Sequence, residues 1–350
     1  MVVVFLKKLL KKLKSKISGQ RFRALRGELE TKQPALVAYL PDKNQGWILY
    51  FLWRDLESQL KKYGWLRHGI AGSLDDLTDY CQDSDLYVVA MGLKFLDELL
   101  VAGFPPEKII YYHTHVRLGR KIDNLDRLHA VLTLNRFEYE LMAMRKVSTE
   151  LLHVFPAGYD EELFYRDNTV SPDIDVLFVG RYRKGKNGYY HKRKRYGFQV
   201  SLANQLVAQG LNVYILGGGW DDCEYPLDRR VQCLELPHPE YGQIYRRSRL
   251  VCSVASQEGG PVSFLEGMAC GCLLVSAPTG FITDLVADLN GCWMLPILSD
   301  PTLWRQRIVN ILSSGSVVTD CIFMEREYYL EKARFSSLAS QLLQLCWPRR

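Results

Sequence analysis

The chain has 350 residues, of which 47% are hydrophobic, 24% charged and 12% aromatic. That is too long for one ordinary α/β layer and suits two globular domains, and the composition excludes a disordered or fibrous protein. The net charge is +6, but residues 1–26 carry nine Lys or Arg and no acid, which leaves −3 on the rest. The basic character therefore belongs to an arm, and no nucleic-acid partner is expected for the body.

The nine cysteines are odd in number and form no CxxC pair. They read as small buried apolar residues in a reducing compartment, with neither a disulfide framework nor a metal site. No run of 18 apolar residues occurs, so no transmembrane helix is expected. In the opening MVVVFLKKLLKKLKSKI the apolar stretch is short, precedes the charges and lacks a small-residue cleavage site, which argues against a signal peptide. Leu6, Leu9, Leu10, Leu13 and Ile17 recur at helical spacing, with Lys7, Lys8, Lys11, Lys12 and Lys14 opposite. Such an arm suits an anionic membrane surface; the plainer alternative is a helix packed on the protein itself.

In chain order, ALVAYLP (35–41) predicts a buried strand and residues 46–64 a helix stopped by Gly64. Strands are predicted over 85–92, 108–116 and 129–134, mostly separated by helical patterns. Residues 151–175, with two prolines, a glycine and a polar run, predict a linker. A second alternation follows: strand 175–180, helix 192–210, strand 212–219, helix 239–248, strand 249–256, helix 261–271 and strand 272–277. The tail from 301 is mainly helical, with residues 323–346 predicted as one helix long enough to span a domain junction. This pattern predicts two doubly wound α/β domains with parallel sheets. The expected division is an arm over 1–30, domains over 31–165 and 166–330, and a C-terminal helix over 331–350 that packs back toward the first domain.

The most informative segment is SQEGGPVSFLEGMACGCLLVSAPTGFITDLVADLNG (256–291). Glu258 sits just past a strand and Glu266 in the following helix. Between them Gly259, Gly260, Pro261, Val262 and Ser263 form a turn and a helix start. Two glycines allow close backbone approach, and a helix N-terminus suits a phosphate. Two carboxylates beside an anion site make sense if they accept hydrogen bonds from hydroxyls. The competing reading is an ordinary loop and a buried helix with incidental acids. Upstream, GRYRKGKNGYYHKRKR (180–195) carries Arg181, Arg183, Lys184, Lys186, Lys192, Arg193, Lys194 and Arg195, which read as diphosphate ligands or as a solvated charge run.

These motifs resemble the retaining GT-B glycosyltransferases, family 4 in particular. Glu258, Glu266, GMACGCLLV, TGFITDLV and Asn290-Gly291 stand in the family's order. Gly260-Pro261 departs from the commoner Phe-Gly, and Asp284 from the usual Glu. VFPAGYD (154–160) resembles the element leading out of the first domain, and YILGGGW (214–220), with Gly217, the turn that backs the base. The resemblance implies two Rossmann-like domains facing a cleft, with a nucleotide-diphosphate sugar as donor substrate and no separate cofactor. Glu258 would contact the transferred sugar, Glu266 the ribose, and Arg181 with Lys184, Lys186, Lys192 or Arg193 the diphosphate. His113 and His115, on one face of their strand, would be cleft residues, His115 toward the donor sugar; the alternative is a buried, hydrogen-bonded histidine. Gly46, after the first strand, would lie near the acceptor.

The mechanism implied has no protein nucleophile and needs no metal: the leaving phosphate assists the acceptor hydroxyl on the same face. With the basic arm, the acceptor is expected to be a glycan or glycolipid and the location cytoplasmic, on the inner face of a membrane. Two other functions fit the same motifs, a sugar-nucleotide epimerase of the same fold and a non-catalytic nucleotide-binding scaffold.

Overall fold

The computed structural model describes residues 33–41, 48–114, 125–185, 188–286, 291–316 and 318–348. The arm over 1–26 and the positions Gly46, His115, Lys186 and Asn290 lie outside them. The chain divides into two compact units, Met1–Phe155 with Phe335–Arg350, and Pro156–Arg334.

The first unit is built on six parallel strands: β1 (Gln33–Tyr39), β2 (Arg67–Ala71), β3 (Ser84–Ala90), β4 (Ile109–His113), β5 (Ala130–Thr133) and β6 (Leu152–Val154), in the order β2-β1-β3-β4-β5-β6. The central strands are almost unbroken apolar runs because helices cover both faces, which is the pattern of a parallel sheet. In β1 every residue after Gln33 is buried. The helices are α1 (Ile48–Leu60), α2 (Leu74–Asp83), α3 (Leu93–Ala102) and α4 (Arg136–Met144). Strand β2 was not legible beforehand. It is five residues long and contains Gly69, whose carbonyl accepts from the Trp53 indole at 2.9 Å.

The second unit repeats the plan. Its strands β7 (Ile174–Val179), β8 (Val213–Leu216), β9 (Gln232–Leu234), β10 (Ser248–Ser253), β11 (Leu273–Ser276) and β12 (Cys292–Met294) run parallel in the order β12-β11-β10-β7-β8-β9. Strand β7 is laid down first, β8 and β9 extend one way, and β10 returns to its other side. The switch point between β7 and β10 is where ligands bind in such sheets, outside the carboxyl ends of the strands. Helices α5 (Gly188–Lys194), α6 (Tyr196–Ala208), α7 (Tyr241–Arg246), α8 (Val262–Ala269), α9 (Ile282–Val286), α10 (Pro301–Ser313) and α11 (Asp320–Ala333) flank it.

Three expectations change. The helix expected over 192–210 is two helices, because Arg195 adopts a left-handed conformation (φ 54°) between α5 and α6. Its guanidinium stacks 3.8 Å from the Phe198 ring centroid and donates to the Val254 carbonyl at 3.3 Å, which fixes the break. The tail helix expected over 323–346 also breaks. Arg334 is extended (φ −62°, ψ 139°) and bridges Tyr159, whose N–H donates to the Ala333 carbonyl at 3.1 Å. A further helix, α12 (Phe335–Cys346), then packs against α1 within the first unit. Finally, the chain leaves the first unit at 155/156 and not at 165/166. Phe164 is buried with the second unit, its ring 5.8 Å from that of Tyr245, and the Leu163 carbonyl accepts from Arg246.

Arg326 on α11 is fully buried. It donates to the carbonyls of Cys272 at 2.7 Å and Gly291 at 3.0 Å, residues that precede β11 and β12. Among the described residues no carboxylate pairs with it, and burial pulls its guanidinium below its ordinary pKa. All nine cysteines are free. Burial pushes the thiols of Cys252 and Cys270 well up, and that of Cys272 to about 12, so they behave as apolar packing. No described helix is long and apolar enough to cross a membrane.

Candidate functional site

The loop after β7 is clamped from beneath. The Gly180 carbonyl accepts from the Trp220 indole at 2.8 Å, the Arg181 carbonyl from the Tyr196 hydroxyl at 2.7 Å, and the Arg183 carbonyl pairs with His191 at 2.8 Å. Tyr182 is buried among Tyr196 and Trp220, which turns Arg181 and Arg183 outward. Gly217, at φ 137°, packs so closely that a Cβ would stand 2.7 Å from the Gly180 carbonyl oxygen. Its absent side chain is what lets the turns after β7 and β8 meet.

The loop after β10 crosses the turn after β11 in the same way. Gly280 has φ 55°, and a Cβ there would lie 2.6 Å from the Gly259 oxygen and 2.8 Å from the Glu258 oxygen. A Cβ on Gly260 would run into the Phe281 ring. The Glu258 N–H donates to the Thr279 hydroxyl at 2.7 Å. Pro261 opens α8, and no described side chain caps its N-terminus. The first-turn amides of Val262 and Ser263 thus form an end suited to an anion.

The two loops meet through charge. Lys194 Nζ lies 2.5 Å from Glu258 Oε1, and Arg193 lies 3.4 Å from Glu258 Oε2. All three are largely covered, the Glu258 side chain being 14% exposed. The Arg193 carbonyl accepts from the Ser256 N–H at 2.9 Å, and the Arg193 guanidinium sits over Tyr190. One carboxylate beside two cations leaves the group net positive, which favours an incoming anion. Lys194 was one basic residue among many in the sequence; the break at Arg195 that aims it was not visible there.

Arg181 is placed differently. Its side chain is 60% exposed and lies 3.5 Å from Glu235, which follows β9. Glu266 lies within α8 and is 3% exposed. Its Oε2 accepts from the Tyr245 hydroxyl at 2.7 Å, and its Oε1 pairs with His238 Nε2 at 2.7 Å. His238 follows Pro237 and packs against Phe164 and Tyr241. Burial, followed by the nearby Glu266 charge, raises the Tyr245 hydroxyl well above its ordinary pKa. Neither partner carries a motif that sequence spacing would reveal. His113, in the first unit at the end of β4, is buried with Nδ1 2.8 Å from the Tyr111 hydroxyl. No described group of three His, Cys, Asp or Glu is arranged to hold a metal.

The Glu266 geometry ties this carboxylate to the core as well as to the site. Glu266→Ala leaves the fully buried Tyr245 hydroxyl without its acceptor, which costs about 1–3 kcal/mol. A lower urea midpoint, read by tryptophan fluorescence, is expected for Glu266→Ala and a smaller loss for Glu266→Gln. An unchanged midpoint would mean that the carboxylate does not hold Tyr245.

Residues 173–314 match the family model Glycosyl transferases group 1. Comparison with curated protein sequences finds no match. Solved structures are similar over most of the chain. Sucrose-phosphate synthase from Thermosynechococcus elongatus has a TM-score of 0.67 at 14% identity, covering 89% of this chain and 98% of its own. A glycosyltransferase from Rickettsia africae ESF-5 has a TM-score of 0.65 at 11% identity, covering 90% and 98%. Anabaena Alr3699/HepE in complex with UDP-glucose has a TM-score of 0.62 at 13% identity, covering 89% and 98%. At such identities the likeness carries the fold, two parallel six-stranded sheets with flanking helices.

Proposed function

We propose that the chain moves a sugar from a nucleotide-diphosphate donor to an acceptor hydroxyl with retention, a reading supported by the match of residues 173–314 to the Glycosyl transferases group 1 model and by the shared fold of two parallel six-stranded sheets. The observation that carries this reading is the meeting of Lys194, Arg193 and Glu258 beside the glycine turn and the start of α8, at the switch point of the second sheet. The diphosphate lies against the α8 N-terminus, where Lys194 and Arg193 turn from Glu258 toward it. Glu258, relieved of part of its pairing, accepts from hydroxyls of the transferred sugar. Arg181 adds a more exposed cation, and Glu266 accepts from the ribose.

In the reaction the bond from the anomeric carbon to the phosphate oxygen breaks as the bond to the acceptor oxygen forms on the same face. The acceptor proton passes to the leaving phosphate. The protein positions the two substrates and stabilises charge as it develops on the diphosphate. Lys194 and Arg193 supply the positive charge that a divalent ion would otherwise bring. A thermal-shift screen of nucleotide sugars identifies the donor, because a bound donor raises the melting temperature by mass action. A screen in which no nucleotide sugar shifts the transition would remove the reading.

Two further expected results follow. Turnover should survive EDTA; a strict requirement for an added divalent ion would show that the cations are insufficient. The arm over 1–26 should bind anionic vesicles, since each basic residue near such a surface contributes about 1 kcal/mol, and this favours a lipid-linked acceptor. Flotation of the full chain and of a form lacking 1–26 checks it. Equal binding by both, or none by the full chain at low salt, would sink the membrane assignment.

A further inference from the structure

Glu266 sits in a helix whose residues from Phe264 to Ala269 are all buried. A carboxylate in such surroundings is costly unless its oxygens are occupied. Two hydrogen bonds meet that need, one at each oxygen: Tyr245 to Oε2 and His238 to Oε1, each at 2.7 Å. A carboxylate only accepts, so Nε2 of His238 carries the proton. Each oxygen keeps a second lone pair.

The two partners differ in exposure. Tyr245 is 0% exposed and belongs to the core, whereas the His238 side chain is 32% exposed. His238 therefore stands on the open side of the group. Its ring is held independently of Glu266. It packs 5.4 Å from the Phe164 ring and 5.3 Å from Tyr241, and Pro237 fixes the backbone before it. A ring so braced sets the orientation of the carboxylate.

We infer that His238 is a positioning residue for the donor: with Tyr245 it holds the Glu266 carboxylate so that the free lone pair on each oxygen meets one hydroxyl of a vicinal diol. The inference rests on the donor site proposed above. The diol it selects is that of a ribonucleotide, and a 2′-deoxyribonucleotide supplies only one of the two hydroxyls. His238 thus acts on nucleotide recognition through Glu266 and takes no part in the transfer step.

The test uses the full chain and isothermal titration with UDP, GDP and ADP, followed by the 2′-deoxy form of whichever binds most tightly. His238→Gln keeps an N–H donor and His238→Met fills similar space without one. The wild type should lose about tenfold in affinity on removal of the 2′-hydroxyl, the size of one hydrogen bond to a charged group. In His238→Met the ribonucleotide should weaken about tenfold with the 2′-deoxy form little changed, so that discrimination disappears. His238→Gln should restore it. With a donor sugar, His238→Met should raise KM and leave kcat within about twofold. Equal discrimination by the Met and Gln variants overturns the role of His238 while leaving the donor site standing. Failure of the wild type to bind any of the three nucleotides overturns the donor site itself, and this inference with it.

Discussion

Replacing Lys194 by Ala is expected to lower kcat by about 10²–10³-fold, the loss seen when one preorganised group facing developing charge is removed. Lys194 makes the short contact to Glu258 at 2.5 Å, and its side chain is 28% exposed. In that sheltered setting its charge is screened less than at an open surface. The substitution removes the cation nearest the carboxylate and leaves Arg193 alone, 3.4 Å from Glu258. KM for the donor should change less than kcat, because the charge on the leaving diphosphate grows only as the glycosidic bond breaks. Lys194→Arg should recover part of the rate. Arg181→Ala should cost less, since the Arg181 side chain is 60% exposed and faces Glu235. Steady-state kinetics with the donor found by screening decides it. A Lys194→Ala rate within threefold of wild type would mean that the Lys194–Glu258 pair serves the fold and not the reaction.

Arg326→Ala is expected to remove about 3–5 kcal/mol of stability, a large part of what holds a domain folded. Its guanidinium donates to the carbonyls of Cys272 and Gly291 and lies in contact range of Cys292 Sγ. Truncation takes a donor from the buried Cys272 carbonyl and one from the Gly291 carbonyl, which keeps the Leu274 N–H at 2.9 Å, and empties the space of a long side chain. Strand β11 leads into the turn that meets Glu258, so damage there should also loosen the proposed donor site. Arg326→Lys should recover only part of the loss, because an ammonium lacks the planar fork that reaches two carbonyls. Urea unfolding of the variants measures this. A shift worth less than about 1 kcal/mol would show that water or relaxed backbone satisfies the Cys272 carbonyl.

Which parts were readable beforehand follows from how local their causes are. The strands β1, β3, β7 and β10 announced themselves because a strand covered on both faces must be apolar throughout. Strands β6, β9 and β12 have three residues each, too few for a pattern. The breaks fall on Arg195 and Arg334, neither of them a glycine or a proline. They are imposed by partners distant in sequence, Val254 for one and Tyr159 for the other. Within the site, Glu258 and Glu266 stood out because their spacing lies within one segment. Lys194, His238 and Tyr245 did not. They reach those carboxylates across separations of 64, 28 and 21 residues, through a sheet topology that no local pattern encodes.

The most direct measurement is the fate of the donor, followed by NMR in the presence of the wild-type chain, an acceptor panel and EDTA. Release of nucleoside diphosphate is expected together with a new glycosidic bond that keeps the donor's anomeric configuration. Lys194→Ala should show the same products more slowly. A donor that is converted equally well with no acceptor present would contradict transfer and point to epimerisation or hydrolysis. A donor that binds but is never consumed, with any acceptor, would contradict catalysis altogether and leave a nucleotide-binding protein on the same fold.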